Sequence, residues 1–151
     1  MRGMKPAART IASLEDLRTE AEAFAGSLSP QEGRATLVTL SGALGAGKTA
    51  FVQAAAKALG LEDQVTSPTF VLSKSYALPE GRAFRRLVHM DAYRLKGAEE
   101  LPPTGFHEDM KDAGALIMLE WPEMVEGALP QADVKVRLDA RPDQSREISY
   151  A

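Results

Sequence analysis

The sequence predicts an α/β domain whose central sheet is partly parallel and partly antiparallel and is flanked by helices. Residues 35–59 run from an apolar strand through a glycine-rich stretch into an alanine-rich helix. The continuous apolar run at 115–119 is typical of a parallel strand that is covered on both faces. Residues 134–138 alternate as a strand does, and 146–150 are spaced to pair with them.

Length and composition indicate one globular domain in a chain of 151 residues, with 44% hydrophobic and 26% charged residues. The net charge of −3 argues against a broad electrostatic contact with nucleic acid, and the absence of cysteine excludes disulfides and thiolate metal sites. No apolar run approaches the roughly 20 residues of a membrane span, and the N-terminus lacks the apolar segment of a secretory signal. We expect a flexible tail at 1–12 and a single domain at 13–151, in a cytoplasmic protein without membrane contact.

The first predicted helix covers 13–28. Its apolar residues recur at helical spacing and are Leu14, Leu17, Ala21, Phe24 and Leu28. Ser13 and Asp16 approximate a capping box, which favours a helix start at Ser13. Pro30 and Gly33 then predict a turn before the first core strand.

The middle of the chain predicts a β-hairpin. Two β-like runs, 69–78 and 84–90, are separated by a segment that contains proline and glycine. The segment 97–111 is expected to be irregular or to form short helices, because two consecutive prolines prevent a long one. Trp121-Pro122 predicts a short helix that ends near Gly127.

The glycine-rich stretch specifies the clearest chemistry. It matches G-x-x-x-x-G-K-[ST] at every fixed position, as Gly42-Ala43-Leu44-Gly45-Ala46-Gly47-Lys48-Thr49. The glycines let backbone amides turn toward a phosphate, and the helix N-terminus adds unpaired N–H donors. Lys48 is expected to reach the β- and γ-phosphates, and the Thr49 hydroxyl to ligate Mg²⁺. The alternative is a plain glycine-rich turn, but the flanking strand and helix favour nucleotide binding in a P-loop NTPase-like fold.

Two acidic residues follow predicted strands, at the position where open α/β sheets bind ligands. Asp91 ends the run 87–91, and Glu120 ends the run 116–120. Either carboxylate is able to hold Mg²⁺ while the other orients the attacking water, and the alternative for each is a solvated acid beyond a strand. We favour Glu120 as the metal-side acid because it follows the more clearly buried strand. His89 shares the face of Asp91, where it either contacts the site or packs as a structural histidine.

Three further residues lie near these motifs in the sequence. Thr69, in Ser67-Pro68-Thr69, is placed like the threonine that closes on a γ-phosphate in switch-type NTPases, or else it caps a turn. Arg94 either stabilises the transferring phosphate, faces a partner or lies on the surface, and Trp121 is expected to pack beside Glu120. ATP is favoured over GTP, because the chain lacks the Asn/Thr-Lys-x-Asp pattern that recognises guanine.

Five segments resemble the TsaE (YjeE) family in order and spacing. They are Gly42 to Thr49, Ser67-Pro68-Thr69, His89-x-Asp91-x-Tyr93-Arg94, Glu99-Glu100-Leu101 and Glu120-Trp121-Pro122. The resemblance extends from about residue 13 to residue 150, and it departs from the family at 101–110, where this chain has two prolines and Met110. It implies a P-loop ATPase required for threonylcarbamoyladenosine formation at position 37 of bacterial tRNAs that read ANN codons.

The resemblance also implies cofactors, partners and residue roles. The protein is expected to bind ATP and Mg²⁺, to have weak intrinsic ATPase activity, and to act with the transferase TsaD and its companion TsaB, reaching tRNA through that complex. The loop that would surround the phosphates begins at Gly42 and includes Leu44, Gly45, Ala46, Gly47, Lys48 and Thr49. The remaining implied roles are Mg²⁺ contact for Thr49 and Glu120, catalytic support near the metal for Asp91, a switch for Thr69 and a nucleotide-proximal position for Arg146.

Two other functions are compatible with a phosphate loop in a chain of this size. A small-molecule kinase would need an acceptor pocket and an arginine-bearing lid, for which Arg82, Arg85 and Arg86 are the clustered candidates. A nucleotide sensor that does not hydrolyse ATP is the other alternative.

Overall fold

A seven-stranded mixed sheet forms the centre of the computed structural model, which describes residues 8–62, 65–66 and 72–151. The strands are β1 (Arg9–Ile11), β2 (Thr36–Ser41), β3 (Ser73–Ala77), β4 (Arg86–Asp91), β5 (Ala115–Glu120), β6 (Val134–Ala140) and β7 (Arg146–Tyr150). Their order across the sheet is β1-β7-β6-β2-β5-β4-β3. Strands β4, β5, β2 and β6 run parallel, whereas β3, β7 and β1 pair with their neighbours antiparallel. The predicted mixed sheet is confirmed.

Helices cover the sheet from both faces. On one face Phe24 and Phe51 are buried in a core built by two long helices, and on the other face Leu101 and Phe106 are buried under short helices. The helices are α1 (Leu14–Ser27), α2 (Lys48–Ala58) and α3 (Phe106–Met110), with 3-10 segments at Ala98–Glu100, Pro102–Thr104 and Pro122–Ala128. Within the described ranges, no helix combines the length and apolar character that crossing a membrane would need.

Strand β5 is buried along its whole length between the two cores. Leu116 and Met118 point into the core beneath α1 and α2, and Ile117 and Leu119 point into the opposite core. Burying one such side chain contributes about 1.5–3 kcal/mol relative to exposure. The position of Glu120, the last residue of β5, is therefore fixed by packing on both sides of the sheet.

Most predicted elements are present with small shifts at their ends. The Ser13 hydroxyl accepts a hydrogen bond from the Asp16 amide at 3.1 Å and caps α1 as expected. Leu14 differs from its predicted place on the buried face, because it is 54% exposed in the first turn. The predicted hairpins are confirmed as β3–β4 and β6–β7. Residues 69–71, part of the first predicted strand, lie outside the described residues.

The N-terminal tail is shorter than predicted, because Arg9–Ile11 forms strand β1 and pairs with β7. Ile11 is 4% exposed and joins the core beneath α1. The added strand also pairs backbone groups of β7 that would otherwise remain open at the edge of the sheet. A flexible tail remains a prediction for residues 1–7, which lie outside the described residues.

Candidate functional site

A cavity of about 370 Å³ lies where the phosphate loop, the glycine-rich stretch 42–49, meets the ends of β4 and β5. The carboxyl ends of parallel strands share one edge of the sheet, so this is where the predicted acids converge. Of the predicted site residues, those that line the cavity are Leu44, Gly45, Gly47, Lys48, Thr49, Asp91 and Glu120, joined by Ala50, Tyr93, Arg94 and Trp121. Gly42, Ala46 and Arg146 are placed around the loop instead, and Thr69 lies outside the described residues.

Gly42 shapes the phosphate loop through a close backbone approach. Its φ is 141°, and a β-carbon at this position would clash with the carbonyl oxygen of Leu138 in β6. Ala46 is fully buried, and its amide donates to the carbonyl of Ala43 at 3.0 Å. Gly47 provides no side-chain cap to α2, so the first amides of that helix remain suited to bind an anion.

Lys48 is held inside the loop and is 4% exposed. Its Nζ donates to the carbonyls of Gly42 at 2.6 Å and of Ala43 at 3.0 Å. The same ammonium lies 4.2 Å from the centroid of the Trp121 ring, within the range of a cation–π interaction. The structure thus places the Lys48 charge at the wall of the cavity.

The electrostatic environment of Lys48 favours contact with an anion. Burial lowers the pKa of the ammonium, because desolvation disfavours the charged form. The carboxylates of Glu120, Glu123 and Asp91 raise that pKa and partly offset the burial. A polyphosphate placed beside Nζ adds negative charge and therefore stabilises the ammonium further.

Glu120 is 2% exposed and contacts two polar side chains of the site. The Thr49 hydroxyl donates to its carboxylate, with Oγ1 at 3.0 Å from Oε1 and 2.9 Å from Oε2. The Nε2 atom of His89 lies 2.6 Å from Oε2. The structure therefore brings Thr49 and Glu120 into direct contact, and it places His89 against the site.

Asp91 lies beside Glu120 on the neighbouring strand, and the β4–β5 register pairs the two residues. Its Oδ1 accepts a hydrogen bond from the Tyr93 amide at 3.0 Å. Burial raises the pKa of Asp91, and the neighbouring Glu120 carboxylate raises it further, while the Tyr93 amide lowers it. A carboxyl group whose ionised form is disfavoured is a better proton acceptor than an ordinary aspartate.

The oxygen atoms of Thr49 and Glu120 fit a Mg²⁺ site. Neighbouring ligands of an octahedral Mg²⁺ ion, each about 2.1 Å from the metal, lie about 3 Å apart. The observed separations of 2.9 and 3.0 Å match that spacing. No group of three or more His, Cys, Asp or Glu side chains suited to a metal occurs within the described ranges. The donor set instead suits a cation whose other ligands are water and phosphate.

Arg146 contacts the phosphate loop from strand β7. Its Nε donates to the Ala46 carbonyl at 3.0 Å, and its Nη2 donates to the Gly45 carbonyl at 3.3 Å. Its Nη1 donates to the Gln144 carbonyl at 2.9 Å. All three guanidinium nitrogens are thus engaged with backbone carbonyls, and two of those carbonyls belong to the loop.

Comparison with known proteins identifies the family. A family model described as "Threonylcarbamoyl adenosine biosynthesis protein TsaE" matches residues 11–148. The chain belongs to the TsaE family. It is 40% identical over 116 residues to the tRNA threonylcarbamoyladenosine biosynthesis protein TsaE of Treponema pallidum, covering 77% of this chain and 82% of that protein. The TsaE protein of Rickettsia bellii is 35% identical over 135 residues, covering 89% of this chain and 87% of its own.

A solved structure resembles the fold of this TsaE family member. The crystal structure of YdiB from Bacillus subtilis superposes with a TM-score of 0.73 and 27% sequence identity. The match covers 99% of this chain and 87% of the YdiB chain.

In this TsaE family member, Trp121, which the sequence predicts to pack beside Glu120, also lines the cavity. Its backbone has φ 62°, a left-handed conformation that is rare for a bulky residue and disfavoured before Pro122. This turn brings the indole ring over Lys48 and 4.9 Å from the ring of Tyr93. Its adjacency to Glu120 was the one sequence feature that indicated such a contact.

Proposed function

We propose that this protein is a Mg²⁺-dependent ATPase that acts as an accessory protein in threonylcarbamoyladenosine formation in tRNA. The single observation that carries the ATPase part is the direct contact of Thr49 with Glu120 beside the buried ammonium of Lys48. The curated relatives named above are tRNA threonylcarbamoyladenosine biosynthesis proteins, which supports the biological role.

The residues divide the work in a way that their contacts support. Lys48 and the first amides of α2 bind the β- and γ-phosphates, and Thr49 and Glu120 hold Mg²⁺. When bound, the ion neutralises charge that develops on the transferring phosphoryl group. Asp91 orients the attacking water, since burial makes it a better proton acceptor than an exposed aspartate.

Thr69 completes the proposed site as a switch that contacts the γ-phosphate only in the ATP-bound state. It follows α2 in the chain, the place where NTPases carry such residues. ATP and ADP would then favour different conformations of this segment, because a ligand shifts only states that it binds with different affinity.

TsaD and TsaB are the proposed partners, with tRNA contacted through their complex. The modification chemistry belongs to TsaD, and ATP hydrolysis by this protein resets the complex between rounds. The net charge of −3 agrees with a protein that reaches tRNA through its partners and not by extensive direct contact.

ATP hydrolysis with and without TsaB–TsaD tests the proposal. We expect slow ADP formation by the protein alone. With TsaB–TsaD present, we expect the turnover rate to change and the complex to form in a nucleotide-dependent way. Lys48→Ala should abolish turnover, because it removes the charge that contacts the phosphates, whereas Lys57→Ala, an exposed lysine of the same helix, should leave it unchanged. Equal hydrolysis by both variants would contradict the assigned site, and no ADP from the wild type would favour the sensor alternative.

The kinase alternative has weak support from the arginines proposed for its lid. Arg86 is paired with Asp109 and Asp112 at 3.0 and 2.7 Å, and Arg85 is paired with Asp112 at 3.1 Å. These pairs join the start of β4 to α3 and to the residues just after it, and the two arginines do not line the nucleotide cavity. Transfer of phosphate to an added metabolite instead of water would restore the kinase hypothesis.

A further inference from the structure

His89 is a fully buried polar residue on β4 whose two ring nitrogens have opposite environments. Its Nε2 atom lies 2.6 Å from Oε2 of Glu120. Its Nδ1 atom is buried and has no hydrogen-bond partner among the described residues. The side chain itself has no exposed surface, so it does not contact bulk solvent.

This asymmetry determines where the imidazole carries its proton. A buried N–H group without an acceptor loses its hydrogen bond to water and gains nothing in return, so Nδ1 is stable only as an unprotonated nitrogen. An ionised Glu120 has no hydrogen to donate, so the short contact requires a hydrogen on Nε2. The neutral tautomer with hydrogen on Nε2 satisfies both conditions.

We propose that His89 is a positioning residue, which donates its Nε2 hydrogen to Glu120 and fixes the orientation of that carboxylate for Mg²⁺. The terminal torsion of a glutamate is broad, so an unsupported carboxylate rotates easily. The His89 bond engages Oε2, while the Thr49 hydroxyl lies across both oxygens. Outer hydrogen bonds of this kind commonly raise metal affinity about 10–100-fold. The inference rests on the proposed Mg-ATP function of the same site.

Two substitutions at position 89 separate positioning from simple packing. In His89→Gln, the side-chain amide nitrogen reaches about as far as Nε2 and retains a donor for Glu120. In His89→Asn, the amide lies at the depth of Nδ1 and falls short of the carboxylate. His107→Gln is the control, because His107 is exposed on α3 and is the other of the two histidines in the chain.

The tautomer is measured on the His107→Gln protein without nucleotide or metal. Nitrogen-15 NMR of its single remaining imidazole should show a protonated Nε2 and an unprotonated Nδ1. A proton on Nδ1, or rapid exchange between the two tautomers, would overturn the proposal. This readout does not depend on ATP binding or hydrolysis.

The positioning effect is measured by calorimetric titration of ATP at increasing Mg²⁺ concentrations. We expect His89→Asn to need about tenfold more Mg²⁺ for half-maximal ATP affinity, and His89→Gln to stay within about threefold of the wild type. His107→Gln should match the wild type. Equal shifts for the Asn and Gln variants, or no shift for the Asn variant, would overturn positioning. Failure of the wild type to bind Mg-ATP would instead contradict the proposed function and leave the tautomer measurement as the test of the hydrogen bond.

Discussion

Gly42 shows how one atom limits the sequence of the phosphate loop. A β-carbon there would clash with the Leu138 carbonyl, and φ 141° is rare for residues other than glycine. We expect Gly42→Ala to destabilise the protein by about 2–6 kcal/mol, the combined range of backbone strain and overpacking. Urea unfolding measures the loss. Gly33→Ala, with φ 77° and open space around it, should cost only the backbone strain of about 1–2 kcal/mol. Equal losses would show that the close approach to β6 has no energetic effect.

Asp91 and Glu120 are adjacent carboxylates with different surroundings. Glu120 contacts the side chains of Thr49 and His89, whereas Asp91 accepts a hydrogen bond from the backbone amide of Tyr93. Burial raises the pKa of Asp91, and a neighbouring negative charge adds to the effect. Pairs of acids in unequal environments commonly take unequal roles, which supports a metal-side Glu120 and a water-side Asp91.

Arg146 connects strand β7 to the phosphate loop through hydrogen bonds. Arg146→Lys keeps the positive charge but loses the planar group that bridges three carbonyls. We expect ATP affinity to fall about tenfold, equivalent to about 1.4 kcal/mol, because the loop carbonyls lose their fixed orientation. Isothermal titration measures the change. Arg141→Lys is the matched control, since Arg141 lies on the same hairpin and its guanidinium bonds go to Thr10 in β1 and Glu147 in β7 instead of the loop. An unchanged affinity for Arg146→Lys would refute this role.

The ion pair of Arg34 and Asp133 joins distant parts of the whole molecule. Arg34 donates two hydrogen bonds to the Asp133 carboxylate, at 2.9 and 2.7 Å, and the Leu37 amide donates a third at 2.8 Å. The Arg34 bond lowers the pKa of Asp133 in the folded state. The stabilisation is therefore complete above the unfolded pKa of about 3.9 and is lost as pH falls through the lower folded pKa.

Asp133→Asn should consequently destabilise the protein at pH 7 by about 1–2 kcal/mol, a value reduced for the partial exposure of Arg34. Its stability should also decline less steeply than that of the wild type below about pH 4. Denaturant unfolding between pH 3 and 7 measures both effects. Asp139→Asn removes an exposed pair with Arg137 and should change stability by less than about 1 kcal/mol. Parallel pH curves for the wild type and Asp133→Asn would contradict the assignment.

Across the molecule, the features predicted from sequence are those encoded in short segments. Lys48 and Thr49 were placed because their motif fixes both a backbone shape and a chemistry, and β5 was predicted because burial on both faces leaves a continuous apolar run. Strand β1 was missed because a three-residue edge strand has little pattern of its own and depends on β7, more than 130 residues away in register. The hydrogen bonds of His89 and Arg146 are not predictable from local sequence patterns for the same reason, because they join strands and loops that are distant in the sequence.

The stacking of Lys48 against Trp121 gives this protein a built-in optical probe. The chain has a single tryptophan, so its ultraviolet emission arises from one known position. That indole lies 4.2 Å from the ammonium that a triphosphate would draw away. Arrival of nucleotide should therefore alter the intensity or the wavelength of the emission, and a stopped-flow instrument can follow nucleotide binding in unlabelled protein.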